Sequence, residues 1–209
     1  LIELGSENSV VYTNLAALMQ IKGDRSNNIF LLKKAISLDP KLPQAHSNLG
    51  LELANIGEFD NAINSYKIAL NLDPNFAEAY NNLGQVMEKK GEFVNAINSY
   101  QKAINLNPNY SEAHFNLGNA LKEKNEICKA IDEYQIAIKL NPNFVQAYNN
   151  LGLLFHEKAE YSEAINNYKL ALNIEQNFAQ AYCNLGNSYY ALNEYNKAVL
   201  AYKKALQIN

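Results

Sequence analysis

The sequence has no excess of positive charge. Its 18 lysines and arginines are outnumbered by 21 aspartates and glutamates, giving a net charge of −3. A protein that binds a phosphate backbone needs a basic stripe, so nucleic acid is not an expected partner. Cysteine is nearly absent. Cys128 and Cys183 fall in different parts of the pattern described below and do not suggest a disulfide framework. That usage fits a reducing, cytoplasmic setting. No apolar run reaches the length of a membrane span, and the first residues do not read as a signal peptide, so no membrane insertion is expected. There is no glycine-rich phosphate loop, no metal cluster and no nucleophile beside a base. The chain itself is therefore expected to have no cofactor, no metal and no catalytic activity. Asn109-Tyr110-Ser111 matches a glycosylation sequon, which has meaning only in a secreted protein.

What the sequence does have is repetition. Ala77–Tyr110 reads AEAYNNLGQVMEKKGEFVNAINSYQKAINLNPNY. The same text returns 34 residues later at Ser111–Phe144 and stands 34 residues earlier at Pro43–Phe76. Self-similarity at this period marks a solenoid in which each copy is buried by its neighbours, so the 48% hydrophobic content serves neighbour contacts and not one central core. Within one copy, Ala79, Tyr80, Leu83, Gly84 and Met87 fall at helical spacing. Phe93, Ala96, Ile97, Tyr100, Ala103, Ile104 and Leu106 do so again. Gly91 stands between them, where a helix end often needs positive φ. Pro108 ends the second run, because proline cannot continue the hydrogen-bond ladder. Each copy is thus helix, turn, helix, breaker. Gly84, Ala96 and Ala103 leave room where the helices touch most closely.

Asn-Leu-Gly, Gly-Glu-Phe, Ala-Ile, Tyr-x-x-Ala-Ile and proline at these spacings resemble the tetratricopeptide repeat (TPR), over nearly all of the 209 residues. The resemblance implies an all-α, right-handed superhelical solenoid of antiparallel helix pairs. It also implies that the first helix of each pair lines a concave groove where ligands lie. The expected organisation is a single array over 1–209. Residues 1–8 would end a preceding repeat, and repeats would follow at 9–42, 43–76, 77–110, 111–144, 145–178 and 179–209. The chain does not begin with methionine, so a longer parent array is expected.

The first repeat departs most from the pattern. Ala16 stands where the others have glycine, Leu32 where they have tyrosine, and Asn28 where they have a buried alanine. Arg25 replaces the aromatic of Phe59 and Phe93. A buried asparagine without partners costs about 1–3 kcal/mol, so looser packing is expected there. Asn125 fills the turn of Gly57 and Gly91 without difficulty. Ala159 at the same place would cost about 1 kcal/mol if its φ is positive. The chain stops inside the last second helix, near Ala205, Leu206 and Ile208, so an apolar end face should be exposed unless another copy covers it.

The sixth residue of every repeat is asparagine: Asn14, Asn48, Asn82, Asn116, Asn150 and Asn184. An amide offers both donor and acceptor, so it can pair with any peptide backbone. First helices about 10 Å apart would meet an extended peptide once every third residue or so. This run is similar to the asparagine ladder in the TPR superhelix of O-linked N-acetylglucosamine transferases, where the resemblance implies a grip on substrate backbone. Ala16 breaks the Asn-Leu-Gly context in the first repeat. The residues leave open the alternative that these amides satisfy a neighbouring helix or reflect duplication alone.

Other positions expected on the groove are Gln44, Glu78, Glu112, Gln146 and Gln180 at the second place, and Asn81, Phe115, Asn149 and Cys183 at the fifth. Leu51, Gln85, Asn119, Leu153 and Asn187 follow at the ninth. None is basic, which disfavours a groove built to clamp a terminal carboxylate. Phe115 and Leu153 could add apolar contact. His46 and His114 sit in the place of Tyr80 and Tyr148 and read as packing. Tyr66, Tyr100, Tyr134, Tyr168 and Tyr202 recur every 34 residues and read as core. His156-Glu157-Lys158-Ala159-Glu160 matches a metal-binding helix only in part, since the second histidine is missing. Cys183 has no base placed to activate it. The expected function is a protein–protein interaction module that binds an extended segment in its groove. The alternatives are a substrate-recruiting arm of a larger enzyme such as a glycosyltransferase, or an array that self-associates through its terminal repeats.

Overall fold

The computed structural model describes residues 8–21 and 25–208, without the side chains of Gln20, Ile21 and Arg25. Readings that concern residues 1–7 and the Arg25 side chain lie outside the described residues. The chain divides into two compact halves, Leu1–Pro108 and Asn109–Asn209.

The N-terminal half holds α1 (Ser9–Ile21), α2 (Arg25–Leu38), α3 (Pro43–Asn55), α4 (Phe59–Leu72), α5 (Ala77–Lys89) and α6 (Phe93–Leu106). The C-terminal half holds α7 (Ser111–Glu123), α8 (Ile127–Leu140), α9 (Val145–Glu157), α10 (Tyr161–Ile174), α11 (Ala179–Ala191) and α12 (Tyr195–Ile208). Within each half, the two helices of a repeat pack on each other, and each second helix packs on the first helix of the next repeat. First helices also touch: α1 with α3, α3 with α5, and α9 with α11. The described residues are all helix and turn, as the two-run repeat predicts.

The turns inside the five repeats from Pro43 onward close one way. The Glu126 N–H donates to Leu121 C=O at 2.9 Å and the Asn125 N–H to Lys122 C=O at 2.8 Å. This is the paired helix-end arrangement that needs a left-handed residue. Gly57, Gly91, Asn125, Ala159 and Asn193 fill that place, with φ between 59° and 83°. Ala159 therefore adopts the strained backbone expected from its position.

In the five repeats from Pro43 onward, a tyrosine of the second helix lies against a glycine of the first. Tyr66, Tyr100, Tyr134 and Tyr168 are fully buried. A Cβ built on Gly84, Gly118 or Gly152 would stand 2.6–2.7 Å from a ring carbon of Tyr100, Tyr134 or Tyr168. Ala16 and Leu32, both fully buried in the first repeat, carry the compensating pair: a methyl on one side and no ring on the other. Asn28 is buried as expected, at 2% exposure, and its Oδ1 has no partner among the described residues. On α12, Val199, Leu200 and Leu206 are exposed, Leu206 by 76%.

Candidate functional site

The amide side chains lie on the first helices, and each half treats them differently. In the N-terminal half, Asn14 is exposed on α1, and Asn48 and Asn82 are half-buried on α3 and α5. Gln44 donates its Nε2–H to Asn48 Oδ1 at 2.8 Å, one helical turn along α3. Asn81 is buried, at 3% exposure. Leu51 is half-buried and packs against the core of its repeat. Asn82 and the exposed Gln85 stand three residues apart on α5, so they share a face. Neither amide has a hydrogen-bond partner among the described residues.

In the C-terminal half the amides bond to one another across repeats. Tyr134 donates its O–H to Asn119 Oδ1 at 2.7 Å, and Asn150 Nδ2 donates to the same oxygen at 3.0 Å. Asn149 Nδ2 reaches Asn150 Oδ1 at 3.3 Å. Asn184 Nδ2 donates to Asn149 Oδ1 at 2.9 Å, and Gln180 Nε2 donates to Asn184 Oδ1 at 3.0 Å. The chain runs from α8 through α7 and α9 to α11. Asn149 and Asn184 are each only 5% exposed, so their bond is shielded from water. Asn116 is also buried. Asn187 is exposed and accepts from the Tyr202 hydroxyl at 2.8 Å. The Nδ2 groups of Asn119 and Asn187 remain available as donors.

The apolar candidates are anchored from behind. Phe115 packs its ring 4.7 Å from Phe144 and 5.7 Å from Tyr134, centroid to centroid. Leu153 packs against the core formed with Tyr168. Both are half-buried, and so is Cys183. The core tyrosines differ in how their hydroxyls are met. Tyr100 donates to Glu88 Oε2 at 2.7 Å. Burial pushes its phenol far above the ordinary value, and the Glu88 charge adds to that. Tyr66 and Tyr168 have buried hydroxyls with no acceptor among the described residues.

The histidines bond to the protein. His46 Nε2 lies 3.0 Å from Pro40 C=O, and His114 Nδ1 lies 2.6 Å from Glu133 Oε2. His156 Nδ1 lies 2.8 Å from the fully buried Ser188 Oγ, so that serine is out of reach of a substrate. Among the described residues, no group of three histidine, cysteine or acidic side chains could hold a metal ion. No helix there is long and apolar enough to cross a membrane.

Sequence reasoning did not find the Asn149–Asn184 and Asn119–Asn150 bonds. The signal was available in the register, because each bond joins a fifth- or ninth-place amide to the sixth place of the next repeat. The tyrosine-to-asparagine bonds likewise link the ninth place to the twenty-fourth of one repeat.

The TPR repeat family matches at residues 51–91, 88–125, 118–158 and 154–193, and the tetratricopeptide repeat family at 179–209. Among solved structures, MamA is 35% identical, with a TM-score of 0.71, over 77% of this chain and 94% of its own. YrrB, described as a TPR protein with an unusual peptide-binding site, is 25% identical, with a TM-score of 0.69, over 85% and 92%. PilF of Pseudomonas aeruginosa is 21% identical, with a TM-score of 0.84 over 92% and 88%, which shows the fold alone. No curated protein matches.

Proposed function

The chain belongs to the tetratricopeptide repeat family, and on that basis we propose that it is a protein-binding module. It holds an extended peptide against the amide-bearing face of its first helices. The observation that carries this reading is Asn82 with Gln85: two amides on one face of α5, one half-buried and one exposed, neither engaged elsewhere. A half-buried amide without a protein partner keeps both its donor and its acceptor for a peptide C=O and N–H. Asn48, whose Nδ2 stays free, extends the same function to α3. The C-terminal half, taken by itself, offers the donors of Asn119 and Asn187 beside Leu153 and Phe115. Each bond contributes about 0.5–1.5 kcal/mol net, so affinity comes from several repeats. The peptide-binding site of YrrB lends support from a relative.

The test is a pull-down from native lysate with the natural chain and with Asn82→Ala/Gln85→Ala at equal melting temperature. A photo-cross-linker at Asn48 identifies the bound stretch. Partners lost in the double variant, with cross-links confined to one extended stretch, support the reading. Retention of the same partners overturns it.

A second reading, self-association, is favoured by the exposed Leu200 and Leu206 of α12. A mass that rises with concentration in light scattering supports it, and a constant monomer mass sinks it.

A further inference from the structure

A second cleft lies in the N-terminal half, formed by α4, α5 and α6, with a volume of about 300 Å³. It does not belong to the amide face. Tyr80 and Met87 line it from α5, and at 100° per residue they stand roughly 140–160° round the helix from Asn82. From the structure we infer that this cleft binds a partner protein through an acidic side chain flanked by an apolar one.

Three observations carry the inference. First, Lys67 of α4 and Lys102 of α6 both line the cleft, and no carboxylate does. Both lysines lack an ion pair among the described residues, as Lys89 and Lys124 do; what sets Lys67 and Lys102 apart is that they share one cleft. Two unneutralised ammonium groups in one cleft of a protein with net charge −3 are a local reversal of sign. Second, Lys102 Nζ lies 5.3 Å from the centre of the Tyr80 ring. That cation–π contact holds the ammonium over the cleft. Third, the floor is apolar, made by Leu70, Leu83 and Met87, while the Asn71 and Asn98 amides line the same cleft. Neither of those amides is bonded among the described residues, so both can meet a peptide backbone.

The occupant follows from this set. A carboxylate lies between the lysines, a neighbouring aliphatic side chain covers the floor, and the backbone between them meets the two asparagines. The volume is at the small end for ligand clefts, which suits two side chains and not a folded surface. A polyanion such as nucleic acid is disfavoured, because the protein as a whole repels it.

The experiment is an NMR titration of the full 209-residue chain. The probe is acetyl-Ala-Glu-Leu-Glu-Ala-amide, and the control has glutamine for both glutamates. The expected result is saturable shifts at Tyr80, Asn98 and Lys102, absent with the control peptide. Lys67→Gln and Lys102→Gln each weaken binding about fivefold, as expected for a partly exposed charged bond. Lys124→Gln, exposed in the other half, leaves it unchanged. All three substitutions are at the surface, so folding is retained. No saturable shift in the cleft, equal shifts with the glutamine peptide, or equal shifts with inorganic phosphate overturns the inference. Shifts at Asn82 and Gln85 alone also overturn it, and leave the amide-face reading standing.

Discussion

A Cβ placed on Gly84 would stand 2.6 Å from Cε1 of Tyr100, so the two residues occupy one shared space. The ring is fully buried and cannot swing away. Gly84→Ala gains up to about 1 kcal/mol in helix propensity, but overpacking a closed core costs about 1–3 kcal/mol. A net loss of about 1–2 kcal/mol is expected by urea denaturation. Adding Tyr100→Leu should return part of it, because Ala16 with Leu32 is that same pair in the first repeat. Full additivity of the two changes would contradict the shared-space account.

The asparagines at the sixth place should separate by role. Asn184→Ala leaves Asn149 Oδ1 buried without its donor and is expected to cost about 1–3 kcal/mol of stability. Asn82→Ala breaks no bond and should change stability by less than about 0.5 kcal/mol. Equal effects on melting would show that the two amides do the same structural work.

Much of this was legible in the sequence, and the limit has a physical cause. The 34-residue period, the apolar spacing and the tyrosine–glycine–alanine places fixed the helices and the core, because burial depends on residue type and register. The left-handed turn at Ala159 was legible because its place is glycine or asparagine in other repeats. Amide partners were less so. Asn82 and Asn184 hold the same place, yet one is free and the other is buried on Asn149. The difference follows from what the preceding repeat offers: Asn149 stands at the fifth place before Asn184, whereas Ser47 and Leu51 hold the fifth and ninth places before Asn82. The cleft between Lys67 and Lys102 escaped notice because its lysines belong to different repeats and different places within them.

The hydroxyls of the core tyrosines give a graded series. Tyr134→Phe removes a bond to Asn119 and should cost about 0.5–1.5 kcal/mol. Tyr168→Phe removes a buried hydroxyl that has no acceptor among the described residues, so it should be neutral or stabilising by up to about 1 kcal/mol. Parallel urea melts test this, and a larger loss for Tyr168→Phe than for Tyr134→Phe would be inconsistent with the bonding described.

Alkaline pH should expose the same residues. Burial raises the phenols of Tyr66, Tyr100 and Tyr168 above the ordinary 10, with further increments from Glu78 and Glu52, Glu88, and Glu157 respectively. The unfolded chain therefore ionises these groups first. Their contribution is intact below pH 10 and is lost as pH rises towards the folded values. Each tyrosine adds a slope of about 1.4 kcal/mol per pH unit in that window. Stability measured at pH 10 and 11 should fall less steeply in Tyr168→Phe than in the natural chain. An unchanged slope would remove Tyr168 from the account.

Ala159 has φ of 59°, a conformation that Gly57 and Gly91 fill without a Cβ and that Asn125 and Asn193 fill with a side chain that tolerates it. Its methyl is strained against its own backbone by about 1 kcal/mol. The place lies just past the end of α9, so replacing it loses no helix propensity. Glycine there enlarges the freedom of the unfolded chain and returns some of the gain. Ala159→Gly is therefore expected to stabilise by about 0.5–1 kcal/mol. Gly57→Ala, at the equivalent turn after α3 with φ of 83°, should destabilise by about 1 kcal/mol, although a Cβ there would meet nothing within 4 Å. Open space around the added methyl makes this pair decisive. If both substitutions prove neutral, the backbone at these turns is relaxing, and strain does not govern them. Opposite signs of similar size locate the cost in φ itself, since no packing changes at Gly57.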